Sequence, residues 1–313
     1  MNHESFKGIY TALVTPMTED GGLDLPSLVR LVEHQLASGI HGFYVGGSTG
    51  EGFILSSEER KTVLETVLSA NRGRGKIIAH VGCISTDESA RLAKHAEQAG
   101  ADAVSAVVPF YYKLGMAEIR KHYDCIMRAT KLPMLIYHFP GATGVSLSMD
   151  FYEEMAAHPQ CLGVKFTSLN LFEMQQIRAK CGPDFLILNG HDEVYAAGAL
   201  MGADGAIGST MNMMPGLYAG MFDSIRREDW KALRNPQALA NEIIAHMLKF
   251  DVIPYEKYML YLQGVIASPR ARQPLTQLSE GEMAAIRAYF ETNGVLGSYR
   301  NEASWQATGK EGI

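Results

Sequence analysis

A lysine stands in the middle of an apolar run, CLGVKFTS, Cys161 to Ser168. Val164 and Phe166 are good strand formers, so Lys165 is expected inside a buried strand. An ammonium is costly to remove from water, and lysine is almost never fully buried without a partner. Burial disfavours its charged form and lowers its pKa. A neutral amine can attack a carbonyl and form a Schiff base. Once protonated, such an imine is an electron sink for breaking the carbon–carbon bond one position further out. The competing reading is a core ion pair, and Asp192 and Glu193 are available carboxylates. A second candidate, Tyr137, ends the preceding apolar run, PMLIYHFP. A phenol beside an imine can relay a proton to or from a hydroxyl, although a tyrosine at that place is also a common rim residue.

The elements that must position these groups follow a regular pattern. Eight short apolar runs begin at Gly8, Gly42, Lys76, Ala103, Pro133, Cys161, Phe185 and Gly205, each separated by room for one helix. Runs apolar on both faces suit parallel strands covered on both sides. Ser56 with Glu59, and Ser85 with Glu88, have the spacing of capping boxes. Leu28, Val29, Leu31, Val32 and Leu36 form one helical stripe. Three turns, ASGIHGFYV, QAGADAVSAV and LMGADGAIG, end a helix on glycine and start a strand at once. Eight such units in roughly 225 residues point to an α/β fold of the (β/α)8, or TIM-barrel, type rather than a doubly wound open sheet. The barrel is expected over residues 1–226, a C-terminal helical appendage over 227–298 and a polar tail over 299–313.

In such barrels chemistry sits at the C-terminal strand ends. Those ends carry Thr15, Ser48, Thr49, His80, Tyr111, Tyr137, Lys165, Thr167, Gly190, His191, Asp192, Glu193, Ser209 and Thr210. Strand alternation sends Lys165 and Thr167 into the barrel and Val164 and Phe166 toward helices. The loop GGSTGEGF, Gly46 to Phe53, offers amides and hydroxyls suited to a carboxylate or phosphate, or is an ordinary tight turn. Its pattern is not a P-loop. His80, His138 and His191 show no HExxH or HxH spacing, so no metal is expected.

Composition sets outer bounds. The chain has 313 residues, 47 % of them apolar, and a formal net charge of −6. That charge gives no attraction to nucleic acid or anionic membranes. Cys83, Cys125, Cys161 and Cys181 lack CxxC spacing and read as free buried thiols of a reducing compartment. No apolar signal core opens the sequence and no run is long enough to span a bilayer, so a cytoplasmic protein is expected.

Taken in order, GGSTGEGF, AHVG, VVPFYY, IYHFPGATGV, GVKFTS, NGHDE and GADGAIGST resemble the pyruvate-dependent class I aldolases of the dihydrodipicolinate synthase and N-acetylneuraminate lyase superfamily, over roughly residues 6 to 215. The lyase branch is the nearer one. The resemblance implies a barrel with a helical C-terminal part, no cofactor, and a homotetramer built as a dimer of dimers. It implies that Lys165 is the Schiff-base lysine and Tyr137 the proton-relay tyrosine. Ser48 and Thr49 match the hydroxyls that hold the pyruvyl carboxylate. Tyr111 matches a tyrosine lent across a dimer interface. Thr167, Gly190, Asp192, Glu193 and Ser209 match positions lining the polyhydroxyl tail of a sugar acid. Synthases acting on a semialdehyde carry an arginine in the loop after strand five, and here that loop reads PGATG. The expected activity is therefore cleavage of N-acetylneuraminate to N-acetylmannosamine and pyruvate. The rivals are an aldolase for a 2-keto-3-deoxy sugar acid, a dihydrodipicolinate synthase and a keto-acid-binding sensor barrel.

Overall fold

The computed structural model describes residues 3–292. Eight parallel strands close into a barrel in sequence order, β1 to β8, with β8 pairing back onto β1. They are β1 Gly8–Ala12, β2 Gly42–Val45, β3 Lys76–His80, β4 Ala103–Val107, β5 Met134–His138, β6 Cys161–Phe166, β7 Leu186–Asn189 and β8 Gly205–Gly208. Each falls in one of the eight apolar runs. The intervening helices are α1 Leu25–Ala37, α2 Ser57–Asn71, α3 Thr86–Ala99, α4 Met116–Ala129, the short α5 Pro140–Thr143, α6 Met149–Ala156, α7 Leu171–Cys181 and α8 Tyr195–Leu200. After β8 come α9 Pro215–Arg226, α10 Arg234–Met247, α11 Val252–Leu262 and α12 Glu280–Thr292, the last three forming a C-terminal helical extension. The expected polar tail, 299–313, lies outside the described residues, as does the end of the expected appendage.

The strands bury both faces. Outward residues such as Ile77, Val104, Ile136, Val164 and Phe166 pack under the helices, while Tyr10, Tyr44, Ile78, Leu135, Leu162, Leu188 and Ile207 fill the lumen. The three helix-to-strand turns contain Gly39, Gly100 and Gly202, all at positive φ, where a side chain would be strained. At α2 the Ser56 and Glu59 capping box forms in both directions. At α3 only half of it forms: Ser85 accepts from the Glu88 amide, but the Glu88 carboxylate turns to Ser57 and Arg91 instead. A charge-assisted bond to a guanidinium outweighs one to a backbone amide at an exposed helix end. On α1 the stripe is Leu28, Leu31 and Val32 with Ser27 and Gln35, and Val29 points to solvent. Of the four free thiols only Cys161 is buried; the others are half-buried. Among the described residues no helix is long and apolar enough to cross a membrane.

Candidate active site

The site begins with an irregularity in β6. Met134 of β5 pairs with Cys161, but Leu135 pairs with Gly163, so Leu162 is an extra residue. Cys161 faces the helices and Leu162 the lumen. Simple alternation from there would send Val164 inward and Lys165 outward. The bulge resets the phase: Val164 and Phe166 face the helices, and Lys165 enters the barrel. Glycine is required at the bulge. Gly163 has φ +152°, and a Cβ there would lie 1.9 Å from the Leu186 carbonyl oxygen.

Past the bulge, Tyr137 and Lys165 are direct cross-strand partners. The Lys165 ammonium lies 4.2 Å from the centre of the Tyr137 ring and 4.3 Å from that of Tyr44. Lys165 is 5 % exposed and has no carboxylate in salt-bridge contact among the described residues. Burial pushes its pKa down from 10.5 to about 7, and the Asp192 charge opposes part of the fall. The neutral amine is therefore well populated at neutral pH. Tyr44 donates to Ser105 at 3.0 Å and holds its ring as one wall. Burial raises the Tyr137 phenol to about 12, while the hydroxyls of Ser48 and Thr167 pull it back. Thr167 Oγ1 makes no hydrogen bond of ordinary geometry and keeps its capacity for a ligand.

Ser48 and Thr49 sit half-buried at the tip of the GGSTGEGF loop. The loop folds back on itself, with the Gly52 amide donating to Gly47 at 3.0 Å and the Thr15 hydroxyl donating to Gly50 at 2.7 Å. Glu51, at φ 59°, points away from the tip into a buried salt bridge with Lys257 of α11. The Arg272 amide also donates to Glu51 at 2.6 Å. His80 completes the floor. Its Nδ1 lies 3.1 Å from the Gly46 carbonyl oxygen and its Nε2 accepts from the Val107 amide at 3.3 Å, the pattern of a neutral ring. Burial and Arg60 hold it well below the ordinary histidine range, so it is a brace and not an acid.

On the β7 side, Gly190 packs so tightly on Thr167 that a Cβ would lie 1.9 Å from its hydroxyl. Asp192 is buried, and its Oδ2 accepts from the Thr210 amide at 2.9 Å and hydroxyl at 2.7 Å. It does not cap the following helix. The charges of Asp192 and Lys165 act on each other without a salt bridge between them among the described residues. Burial pushes Asp192 up, and the Thr210 bonds hold it back. Glu193 is half-exposed with His191 Nδ1 at 3.1 Å; burial pushes it up, and His191 brings it below the ordinary value. Ser209 is half-buried after β8. Tyr111 stands apart, 75 % exposed and touching Tyr112 edge-on at 5.1 Å.

His138, next to Tyr137, faces the other way and stacks on Phe166 at 5.2 Å, outside the lumen. The sequence reading missed Tyr44 and the ionisable pair Glu256 and Lys257 on α11. The signal for the pair was present, because both interrupt the apolar run VIPYEKYMLYL just as Lys165 interrupts its own. Among the described residues no group of three or more His, Cys, Asp or Glu could hold a metal ion.

A closed parallel barrel with a buried, readily deprotonated lysine against a tyrosine is equipped for imine chemistry on a carbonyl compound. The chain belongs to the dihydrodipicolinate synthetase family, whose model matches residues 5–292. The N-acetylneuraminate lyase of Escherichia coli strain SMS-3-5 is 41 % identical over 285 residues, 91 % of this chain and 96 % of that protein. A sialic acid aldolase of Ruminococcus gnavus, solved as a catalytic lysine mutant, superposes with a TM-score of 0.90 at 31 % identity, covering 96 % of this chain and 99 % of that one. CdNal from Clostridium difficile, solved in complex with mannosamine, gives a TM-score of 0.88 at 32 % identity, covering 92 % and 99 %.

Proposed function

We propose that this chain cleaves N-acetylneuraminate reversibly to N-acetylmannosamine and pyruvate, as a Schiff-base carbon–carbon lyase. The observation that carries the chemistry is the bulge-aimed Lys165 with its amine beside Tyr137. The substrate is carried by the identity to N-acetylneuraminate lyase over nearly the whole of both chains. That one relative is described by its catalytic lysine accords with assigning this role to Lys165.

The neutral Lys165 amine adds to the C2 ketone of the open-chain sugar acid, and water leaves to give a protonated imine. Ser48 and Thr49 hold the carboxylate beside it. Tyr137 takes the proton of the C4 hydroxyl while its own passes through the Ser48 hydroxyl to the carboxylate, the C3–C4 bond breaks, and the electron pair of that bond flows into the imine. The aldehyde formed is N-acetylmannosamine. The enamine left on Lys165 is protonated at C3 and hydrolysed to pyruvate, restoring the amine. The imine itself is the electron sink, so the cycle needs no added cofactor. A phenol with a high pKa suits passing a proton on, and Ser48 and Thr167 are placed to share it. Thr167, Gly190, Asp192, Glu193 and Ser209 line the tail of the sugar. Tyr111 completes the site of a neighbouring subunit in a cytoplasmic tetramer; its 75 % exposure supports a partner covering it.

The test is turnover on N-acetylneuraminate, on a six-carbon 2-keto-3-deoxy acid, and on pyruvate with a semialdehyde. Pyruvate and N-acetylmannosamine released fastest from the first is the expected result. Preference for the six-carbon acid, or condensation with the semialdehyde, would reassign the substrate. No turnover with retained keto-acid binding would make the protein a sensor.

A further inference from the structure

Glu256 and Lys257 are consecutive on α11, and both are 0 % exposed. Lys257 is accounted for by Glu51 and by the Arg270 carbonyl, to which it donates at 3.0 Å. Glu256 is not: neither of its oxygens makes a hydrogen bond of ordinary geometry among the described residues, although the Ser209 hydroxyl approaches it. A buried carboxyl left without partners is costly, and native proteins keep few of them. Its surroundings give it a purpose. α11 packs against the turn Thr210–Asn212 that follows Ser209. The groups its carboxyl feels are the Ser209 hydroxyl after β8 and the Asp192 carboxylate after β7. Burial raises its pKa to about 8, with Asp192 adding to the rise and Ser209 opposing it. At neutral pH it is then mostly a carboxylic acid, with one O–H donor and acceptor capacity to spare. Asp192 Oδ1, buried on the same side of the barrel, also lacks a partner.

We propose that Glu256 is a positioning residue for substrate choice: it orients the Ser209 hydroxyl and the free oxygen of Asp192 toward the hydroxylated tail of the sugar acid. The C-terminal extension thereby shapes the specificity of the barrel. This rests on reading the site as that of a sugar-acid lyase. The acid group can donate to the Asp192 carboxylate while accepting from the Ser209 hydroxyl, which fixes the direction of each. It touches no reacting atom and should leave imine formation alone.

The experiment compares the full-length wild type with Glu256→Leu and Glu256→Gln. kcat and KM are measured separately on N-acetylneuraminate and on a six-carbon 2-keto-3-deoxy acid. Borohydride trapping of pyruvate on Lys165 reports on the imine step. For Glu256→Leu, KM for the nine-carbon acid should rise roughly tenfold or more, with much less effect on the six-carbon acid and on trapping. Glu256→Gln keeps a donor and an acceptor in the same shape and should restore most of the loss. Equal losses on both acids, or an unchanged KM in Glu256→Leu, would overturn the proposal. If the leucine variant does not fold, pH decides. The wild-type KM for the nine-carbon acid should climb above pH about 8 as Glu256 ionises beside Asp192, and Glu256→Gln should lack that climb. The same climb in Glu256→Gln would overturn it. A wild type inert on the nine-carbon acid while still trapping pyruvate would remove the functional reading and the proposal together, whereas an active wild type with indifferent variants removes the proposal alone.

Discussion

Two lysines are buried among the described residues, Lys165 at 5 % and Lys257 at 0 % exposure, and they have opposite surroundings. Lys257 sits in a salt bridge with Glu51 and donates to a carbonyl. Lys165 lies between two aromatic rings, with Asp192 acting only from a distance. Burial lowers both pKa values, but Glu51 opposes the fall at Lys257 through charge and hydrogen bond together. Its N–H groups are also committed, to the Glu51 carboxylate and the Arg270 carbonyl. Burial alone therefore does not make a lysine a nucleophile. What matters is burial without a contacting carboxylate, with an aromatic wall that attracts the cation weakly and leaves the neutral amine free.

The strongest way to break this comparison is to remove the reactive member. Lys165→Met should abolish turnover and the borohydride-trapped pyruvate adduct, and peptide mapping of the wild-type adduct should place the label on Lys165. A label on Lys257, or on any other lysine, would end the mechanism. Next in size, Tyr137→Phe should still form the adduct but cleave more slowly by a factor of about 10² to 10⁴, the usual contribution of a positioned acid–base group. Single-turnover kinetics on N-acetylneuraminate would show it, and near-normal cleavage would take Tyr137 out of the relay.

The paired lysine should respond through stability instead. Lys257→Met leaves Glu51 buried without its cation, and breaking a buried pair from one side typically costs about 3–5 kcal/mol. Denaturant unfolding should report a loss of that order, while Lys257→Met combined with Glu51→Gln should recover much of it. Because Glu51 belongs to the loop carrying Ser48 and Thr49, the single variant should also raise KM for pyruvate-bearing substrates. A stable single variant with unchanged KM would mean that the extension does not hold this loop.

Much of this was legible in the sequence, for reasons that differ by residue. The eight strands were visible because a strand buried on both faces must be apolar throughout, and Lys165 was visible as the exception. Its inward direction, read from local alternation, is right. The cause is the bulge at Leu162 and Gly163, which the sequence marks only as one glycine in a strand. That Tyr137 stands across from Lys165 depends on pairing register, which is a property of two strands together. Glu88 had the right spacing for a capping box, but Arg91 of its own helix and Ser57 of the neighbouring one offered it better partners. The tie between Glu51 and Lys257 joins positions some two hundred residues apart, and no local pattern encodes it.

The smallest effect is also the sharpest test of the reactivity proposed for Lys165. A lysine held near pKa 7 in the folded state and 10.5 in the unfolded state makes the protein less stable whenever it must carry a buried charge. Below pH about 7 both states are protonated, and the whole penalty is present. Between about 7 and 10.5 the unfolded state binds the extra proton, so stability rises with pH across that window. Above 10.5 both states are neutral and the penalty is gone. At ~1.36 kcal/mol per pH unit the displacement bounds the penalty near 5 kcal/mol. Attraction to the Tyr44 and Tyr137 rings also favours the charged state, so a net value of about 1–3 kcal/mol is the expectation at pH 6. Lys165→Met should therefore be more stable than the wild type at pH 6, and its advantage should shrink steadily toward pH 10. The kinetics should mirror this, with wild-type kcat/KM falling as pH drops below about 7 and the nucleophile becomes protonated. Paired denaturant melts at pH 6, 8 and 10 measure the first effect. A constant difference between variant and wild type would mean that Lys165 titrates alike in both states, and the contrast with Lys257 would then lie in geometry alone.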